Sequence, residues 1–364
     1  MLGAYILNRE MEVIEYCDYY TSFIWNARDI EISDFEMHIP YTTKYAKIFK
    51  TNYFVVVNDP RFKEVMVIDK ITVRKESYGV FEIVICGQGL DSLLKRRVNT
   101  STYDYTTSTE NHRMDFLVGL WNTNFGKNAS EVRKFPENID FQPELNTDLV
   151  YVSDNGPIPG FSKEDYFYIN CYDIFAYFLH TIKTYLRSFY RYDLKKSYIS
   201  TKQSVDRSSE VFFSEEIGNL SSFVSEENVQ NVVTMFIFHE NGPEAYYTYW
   251  GDKNDVSDVN DTLKLYPAIT GLDRYEALTE AKDTRTATRE ESVKLYREYS
   301  PILKLESSGI SAEHASLFSF GKAFDVGDVV TVVTELGAKK AYVSSYIISI
   351  SEQGFEEYPS FVYV

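Results

Sequence analysis

EVMVIDKITVRKE (64–76), followed by VFEIVICGQGLDSLLKRRV (80–98), is the stretch that decides how this chain is read. Two Val- and Ile-rich runs flank Ser77-Tyr78-Gly79, whose turn chemistry predicts two strands joined by a tight connection. The second run ends on Gly87-Gln88-Gly89, and beyond it Leu90, Leu93 and Leu94 fall on one helical face. This order of strand, strand, glycine corner and short helix closes a first β domain.

Upstream, YILN, SFIWNA, FEMHIP and YFVVV are short alternating runs, with Asn58-Asp59-Pro60 as a further turn, so residues 1–100 read as strands throughout. Downstream, HRMDFLVGLWNTNF places Met114, Leu117, Val118 and Trp121 at helical spacing and ends near Gly126. The Pro-, Asn- and Asp-rich segment from Phe135 to Gly160 reads as irregular. After Asn170, CYDIFAYFLHTIKTYLRSFYRY carries Ile174, Tyr177, Phe178, Thr181, Tyr185 and Phe189 near one stripe, which predicts a long helix near 171–190. Strands return in EVFFS, SSFVS and NVVTMFIFHENGPEAYYTYW, where Asn241-Gly242 marks a hairpin near 231–250. Thr288-x-x-Glu291 is a capping box that predicts a helix to about Pro301, and the tail from Leu317 alternates again. The expected domains are 1–100, 101–205, 206–310 and 311–364, in a β-rich α+β chain.

The 364 residues carry 37 Lys and Arg against 54 Asp and Glu, a net charge of −17 that lacks the basic footprint of a nucleic-acid binder. Aromatic residues make up 16%, chiefly Tyr and Phe, which suit half-buried pleated surfaces. No basic and apolar leader opens the chain, and no run reaches about 18 uncharged apolar residues, so no export signal or membrane anchor is expected. Cys17, Cys86 and Cys171 are odd in number and far apart, which favours reduced core thiols over disulfides or a zinc site.

Candidate chemistry is sparse. Gly87-x-Gly89 sits where a dinucleotide loop would, but the third position is Ser92 and the preceding strands are hairpins, so a plain strand-to-helix corner is preferred. His38, His112, His180, His239 and His314 form no i, i+4 ligand pair, and the expectation is no metal and no cofactor. Asp252, Asp255, Asp258 and Asp261 depart from the EF-hand register, so they read as a solvated loop. No nucleophile elbow or P-loop is present, and no catalytic residue is expected. Tyr246, Tyr247, Tyr249 and Trp250 alternate along the hairpin, with Tyr247, Tyr249 and Trp250 the candidate aromatic surface for glycan stacking.

The order of these segments resembles the baseplate hub family of tailed bacteriophages, which also forms the first part of tail-associated lysins. AYILNREMEVIEYCDYYTSFIWNARDIEISDFEMHIPYT (4–42), with Phe23 and Trp25, then Phe35-Glu36 and Pro40, is similar to the family's opening. Gly87, Leu90, Leu94, Arg96 and Arg97 match the element that closes its first barrel. VFFSEEIGNLSSFVSEENVQNVVTMFIF (211–238) resembles its middle segment through Gly218, Asn219, Leu220, Asn231 and Val232. AFDVGDVVTVV (323–333), then AYVSSYIISISEQGFEEYPSF (341–361), looks like its last barrel, with Phe324, Gly327 and Asp328.

The resemblance implies two barrel-like hub domains around a mixed α/β region. It implies a structural homotrimer that continues the hexameric tail tube at the virion's baseplate, after synthesis in the bacterial cytoplasm. The implied partners are the tube, the tape-measure protein and tip or fibre proteins, with phage DNA passing through without specific binding. The net charge of −17 leads to the expectation that part of the acidic surface lines the lumen and lets DNA slide, with a role in solubility as the alternative. Lysins of the family carry peptidase or fibre regions beyond this point, so cell-wall cleavage is not expected. A receptor-binding module and a tail-associated hydrolase are the rivals.

Overall fold

The computed structural model describes residues 2–75, 81–100, 113–144, 169–180, 183–220, 223–227, 231–239, 245–249, 271–278, 303–307, 317–335, 337–352 and 354–363. The chain divides into two compact units, Met1–Pro157 with Phe161–Val224 and Leu305–Val364, and Ser225–Lys304 with Ile158–Gly160.

In the first unit the opening hundred residues form strands β1 (Ala4–Leu7), β2 (Val13–Cys17), β3 (Ser22–Arg28), β4 (Asp34–Pro40), β5 (Phe54–Val57), β6 (Val65–Lys75) and β7 (Phe81–Gly89), with a one-turn helix α1 (Tyr45–Ile48). Alternation is the cause. In β4, Phe35, Met37 and Ile39 are buried, while Asp34, Glu36 and His38 face the other way. β6 and β7 pair antiparallel across the quoted stretch, with a bulge between Ile68 and Lys70 that displaces Asp69 from the ladder.

Gly87 and Gly89 belong to β7 rather than to a phosphate loop. A Cβ on Gly87 would run into the backbone carbonyl of Val67 and lie 2.5 Å from the Phe35 ring, so only glycine lets the strands approach here. The helix that follows, Leu90–Arg96, is a 3₁₀ helix with Leu90, Leu93 and Leu94 buried. At three residues per turn, Leu90 and Leu93 stack on one line toward the core.

The middle of the chain supplies α2 (Arg113–Asn124), β8 (Ile139–Phe141), α3 (Cys171–His180), β9 (Thr184–Arg191), β10 (Lys196–Gln203) and β11 (Phe212–Ser214). α2 forms where it is expected, but its buried residues are Phe116, Leu117, Leu120 and Trp121, with Val118 only half-buried. The long helix expected near 171–190 does not form, because α3 ends at His180 and β9 occupies its second half. Thr181, Tyr185 and Phe189 fit a helical stripe, but Thr184, Leu186 and Ser188 also alternate as one buried strand face, and pairing of β9 with β10 selects the strand. Lys183, at φ 52°, immediately precedes β9, and Lys195, at φ 49°, lies between β9 and β10. β8 lies inside the segment read as irregular and pairs parallel with β10.

The chain continues through β12 (Phe223–Glu227), β13 (Asn231–His239), β14 (Ala245–Tyr249), β15 (Gly271–Leu278), β16 (Leu303–Ser307), β17 (Val329–Thr334), β18 (Gly337–Ser351) and β19 (Gly354–Tyr363). The largest sheet runs β12-β16-β19-β18-β3-β4-β7-β6-β5-β1-β2, with β17 also on β18 and β11 on β17. Its centre joins the two ends of the chain, since Ser345–Ser351 of β18 pairs antiparallel with Arg28–Ser22 of β3. The two separate barrels expected from the resemblance are not found. Among the described residues the N- and C-terminal segments share one open sheet, whose end strands β2 and β12 do not pair with each other.

In the second unit, β13 lies between antiparallel β14 and parallel β15. The pairing of β13 with β14 is the expected hairpin. Its Asn241-Gly242 turn, the acidic stretch 251–262, the helix expected before Pro301 and Trp250 lie outside the described residues. No helix among the described residues is long and apolar enough to cross a membrane.

Gly87→Ala should destabilise the protein by about 1–3 kcal/mol, because the added methyl meets backbone that cannot yield. Gly3→Ala should cost less, since its methyl meets the far end of the Tyr16 side chain, which is 37% exposed, rather than backbone. Denaturant unfolding of both variants checks the ranking, and equal losses would contradict it.

Candidate functional site: a buried ion network and an open basic cleft

The Phe324, Gly327 and Asp328 positions meet the middle of the chain in a way their sequence did not announce. Gly327 adopts φ +84°, and a Cβ there would collide with the ring of Tyr185 on β9. The Tyr185 hydroxyl donates to the backbone carbonyl of Val326, and the Gly327 N–H donates to Val343 O at 2.7 Å. Asp328, 1% exposed, accepts from Val205 N at 3.1 Å, Arg207 Nε at 3.0 Å and Asp325 N at 3.0 Å. Phe324 packs edge-on to Phe213 with ring centres 5.3 Å apart, beside Phe320 and Tyr346, whose rings stack at 4.0 Å.

Arg187 sits two residues from Tyr185 and therefore on the same face of β9. Its guanidinium donates to Glu64, just before β6, and to Asp325 Oδ1 at 2.5 Å. Lys202 of β10, opposite Tyr185, pairs with the other oxygen of Asp325. The Arg187 and Glu64 side chains are only 10% and 8% exposed. Burial pushes the Glu64 carboxyl up, against the pull of Arg187. Burial also acts upward on Asp325, but Arg187 and Lys202 together hold it below the ordinary carboxylate range. A second set joins the ends of the chain, with Arg61 donating to Asp59 and Glu357 at 2.9 Å each.

These networks were not legible beforehand, because a charged residue in a strand reads as solvent-facing. The one local signal is Asp325-x-x-Asp328 around a glycine, which concentrates two carboxylates on a turn that cannot carry a side chain at Gly327.

The remaining expected positions are distributed through the fold. Trp25 is fully buried between Phe23 and Phe35, at 6.0 and 5.8 Å between ring centres. Leu90 and Leu94 are core residues. Asn219 accepts from Ser214 N and donates to Phe212 O, both at 2.8 Å, which pins the turn Glu215–Gly218. Asn231 opens β13 opposite Gly271, and Tyr247 and Tyr249 lie across from Phe236 and Thr234. Among the described residues no group of His, Cys, Asp and Glu has the arrangement of a metal site.

His38 lies between two carboxylates, its Nδ1 2.9 Å from Glu82 and its Nε2 2.8 Å from Glu36. Burial pulls the imidazole down, but the hydrogen bonds to Glu36 and Glu82 outweigh it and set its pKa above the ordinary 6.5.

Arg96 and Arg97 leave the core and line an open cleft of about 390 Å³ with Lys95, Val98, Val132 and Arg133. Arg96 donates to Asn52 at 2.5 Å and to Asp69 at 3.1 Å. Arg97 lies over the Phe135 ring at 5.9 Å, and Arg133 donates to Val98 O at 2.7 Å.

With this geometry in hand, three solved structures can be set beside the chain. A 43 kDa tail protein of prophage MuSo2 from Shewanella oneidensis superposes at TM-score 0.58 with 10% identity, covering 100% of this chain and 98% of that one. A tail protein from Neisseria meningitidis MC58 gives 0.56 at 10% identity, covering 100% and 96%. Prophage tail protein gp18 from Listeria monocytogenes EGD-e gives 0.54 at 9% identity, covering 99% and 94%. The fold is that of phage tail proteins. Residues 4–122 also match the family described as Siphovirus ReqiPepy6 Gp37-like protein. No curated protein matches the sequence. The likeness read from sequence segments is therefore present at two further levels, in a family match over the N-terminal third and in a fold shared along the chain.

Replacing Arg187 with Met should cost about 3–5 kcal/mol, because it leaves buried Glu64 without its counter-charge, and adding Glu64→Gln should recover part of that loss. Denaturant midpoints of the single and double variants check this. The His38 contribution has a definite sign. Its folded-state pKa is raised, so the stabilisation is complete below the ordinary value and is lost as pH rises through the folded one. The stability gap between wild type and His38→Gln should therefore shrink from about pH 5.5 to about pH 8.5, and a constant gap would refute the assignment.

Proposed function

We propose that this chain is the structural hub of a phage or phage-like tail baseplate, a non-enzymatic component that assembles as a trimer and continues the tail tube toward the tip. The observation that carries this reading is the agreement in fold over essentially the whole chain with three phage tail proteins. The match of residues 4–122 to a siphovirus family supports it independently.

The placement of charge is in keeping with a structural role. The nearly buried Arg187 and the half-buried Arg61 and Arg207 each pair with a carboxylate that lies far along the chain, so they hold segments together. In this reading the partners are the tail tube, the tape-measure protein and tip or fibre proteins. Three subunits would supply the ring that one open sheet does not close by itself. The net charge of −17 keeps such a ring from gripping DNA that passes through it, since like charge suppresses phosphate contacts.

Light scattering after size-exclusion chromatography, run over a range of concentrations, tests the reading. Three copies per particle is the expected result. A monomer at every concentration would contradict a self-assembling hub.

A further inference from the structure

We propose that the basic cleft of one copy receives the acidic turn Glu215-Glu216-Ile217 of a second copy, and that this contact closes the ring. The proposal rests on the trimeric reading above and gives it a contact.

In a chain with 54 acidic residues, Lys95, Arg97 and Arg133 gather around one opening, and among the described residues none of them pairs with a carboxylate. Among the described residues, Arg96 is the one cleft cation that pairs with a carboxylate, Asp69. Cations held close together repel one another, and an incoming anionic group relieves that repulsion. The cleft also exposes two apolar side chains, Val98 at 41% and Val132 at 89%. A phosphate backbone offers nothing to such walls, whereas an acidic protein segment carrying an aliphatic residue matches both features.

The chain carries that complement itself. Glu215 and Glu216 are exposed and have no cation partner among the described residues, and Ile217 beside them is 38% exposed. The turn is rigid before any contact is made. Gly218 N–H donates to Glu215 O at 2.9 Å, Ile217 N–H donates to Ser214 Oγ at 3.2 Å, Gly218 takes φ 74°, and Asn219 ties both ends. A preformed turn loses little conformational freedom on docking. Cleft and turn are different patches, so the contact is head-to-tail. Such contacts generate rings when the rotation closes, whereas a self-complementary patch would stop at a dimer.

Sedimentation velocity on the full chain over a concentration series tests the pairing. Lys95→Glu with Arg97→Glu, and separately Glu215→Lys with Glu216→Lys, should each raise the concentration needed for assembly at least about tenfold. All four changes in one chain should restore it. The turn residues are exposed, so that variant keeps the test available if the cleft variant fails to fold, as circular dichroism would show. A wild type that forms trimers while its variants assemble equally well overturns the pairing and leaves the trimeric reading standing. A wild type that never assembles overturns both. Loss of duplex DNA binding in the cleft variant, with assembly unchanged, would assign the cleft to phosphate and overturn the proposal.

Discussion

The fold turns on one guanidinium. Arg187 is held almost out of solvent between Glu64, which leads into β6, and Asp325, which leads into β17. Replacing such a buried ion pair with well-packed apolar residues is often neutral or stabilising, so its net energy does not explain its presence. What it supplies is selection. If β9 slipped one residue against β10, Arg187 would turn to the opposite face, leaving Glu64 and Asp325 without their shared cation. The cost of that state falls on the misregistered arrangement, while the native one has every carboxylate oxygen of Asp325 paired with a cation.

Tyr185 shows how the same constraint passes into backbone geometry. It shares a face with Arg187, so the register that places the guanidinium also places the phenol over Gly327. The glycine is required twice, once by its positive φ and once by the ring above it. Asp328 then secures the following strand by collecting donors from Val205, Arg207 and Asp325. Charge, aromatic packing and the turn at 325–328 therefore form one unit, and through it the middle of the chain fixes the position of β17 and β18.

What was legible in the sequence followed from local periodicity. β4 alternates cleanly, the quoted stretch pairs as read, α2 forms where it was expected, and β13 and β14 pair around the Asn-Gly signal. Where two periods coincide, the local reading fails. Residues 181–190 satisfy a helical stripe and a strand face together, and only the partner strand β10, read from elsewhere in the chain, decides between them. The open sheet was hidden for the same reason, since the β3 to β18 pairing joins residues more than 300 positions apart and leaves no trace in either segment. Of the expected positions, Trp25, Gly87, Leu90, Leu94 and Phe324 are packing residues. The ion network needed three distant segments to be placed before any of its charges had a meaning.

The long-range β3 to β18 pairing also bears on how a protein of this kind can assemble. Because the two ends of the chain share the centre of one sheet, neither can move without breaking the β3 to β18 ladder. In the proposed trimer the contacts fall on two short segments next to that frame. The basic cleft follows the 3₁₀ helix, and the acidic turn follows β11, so both are anchored to the frame and both project from it. A rigid frame with small charged attachments favours a fixed angle between neighbours. A fixed angle is the requirement for a ring of definite size, because a contact that flexes would allow rings of several sizes or an open filament.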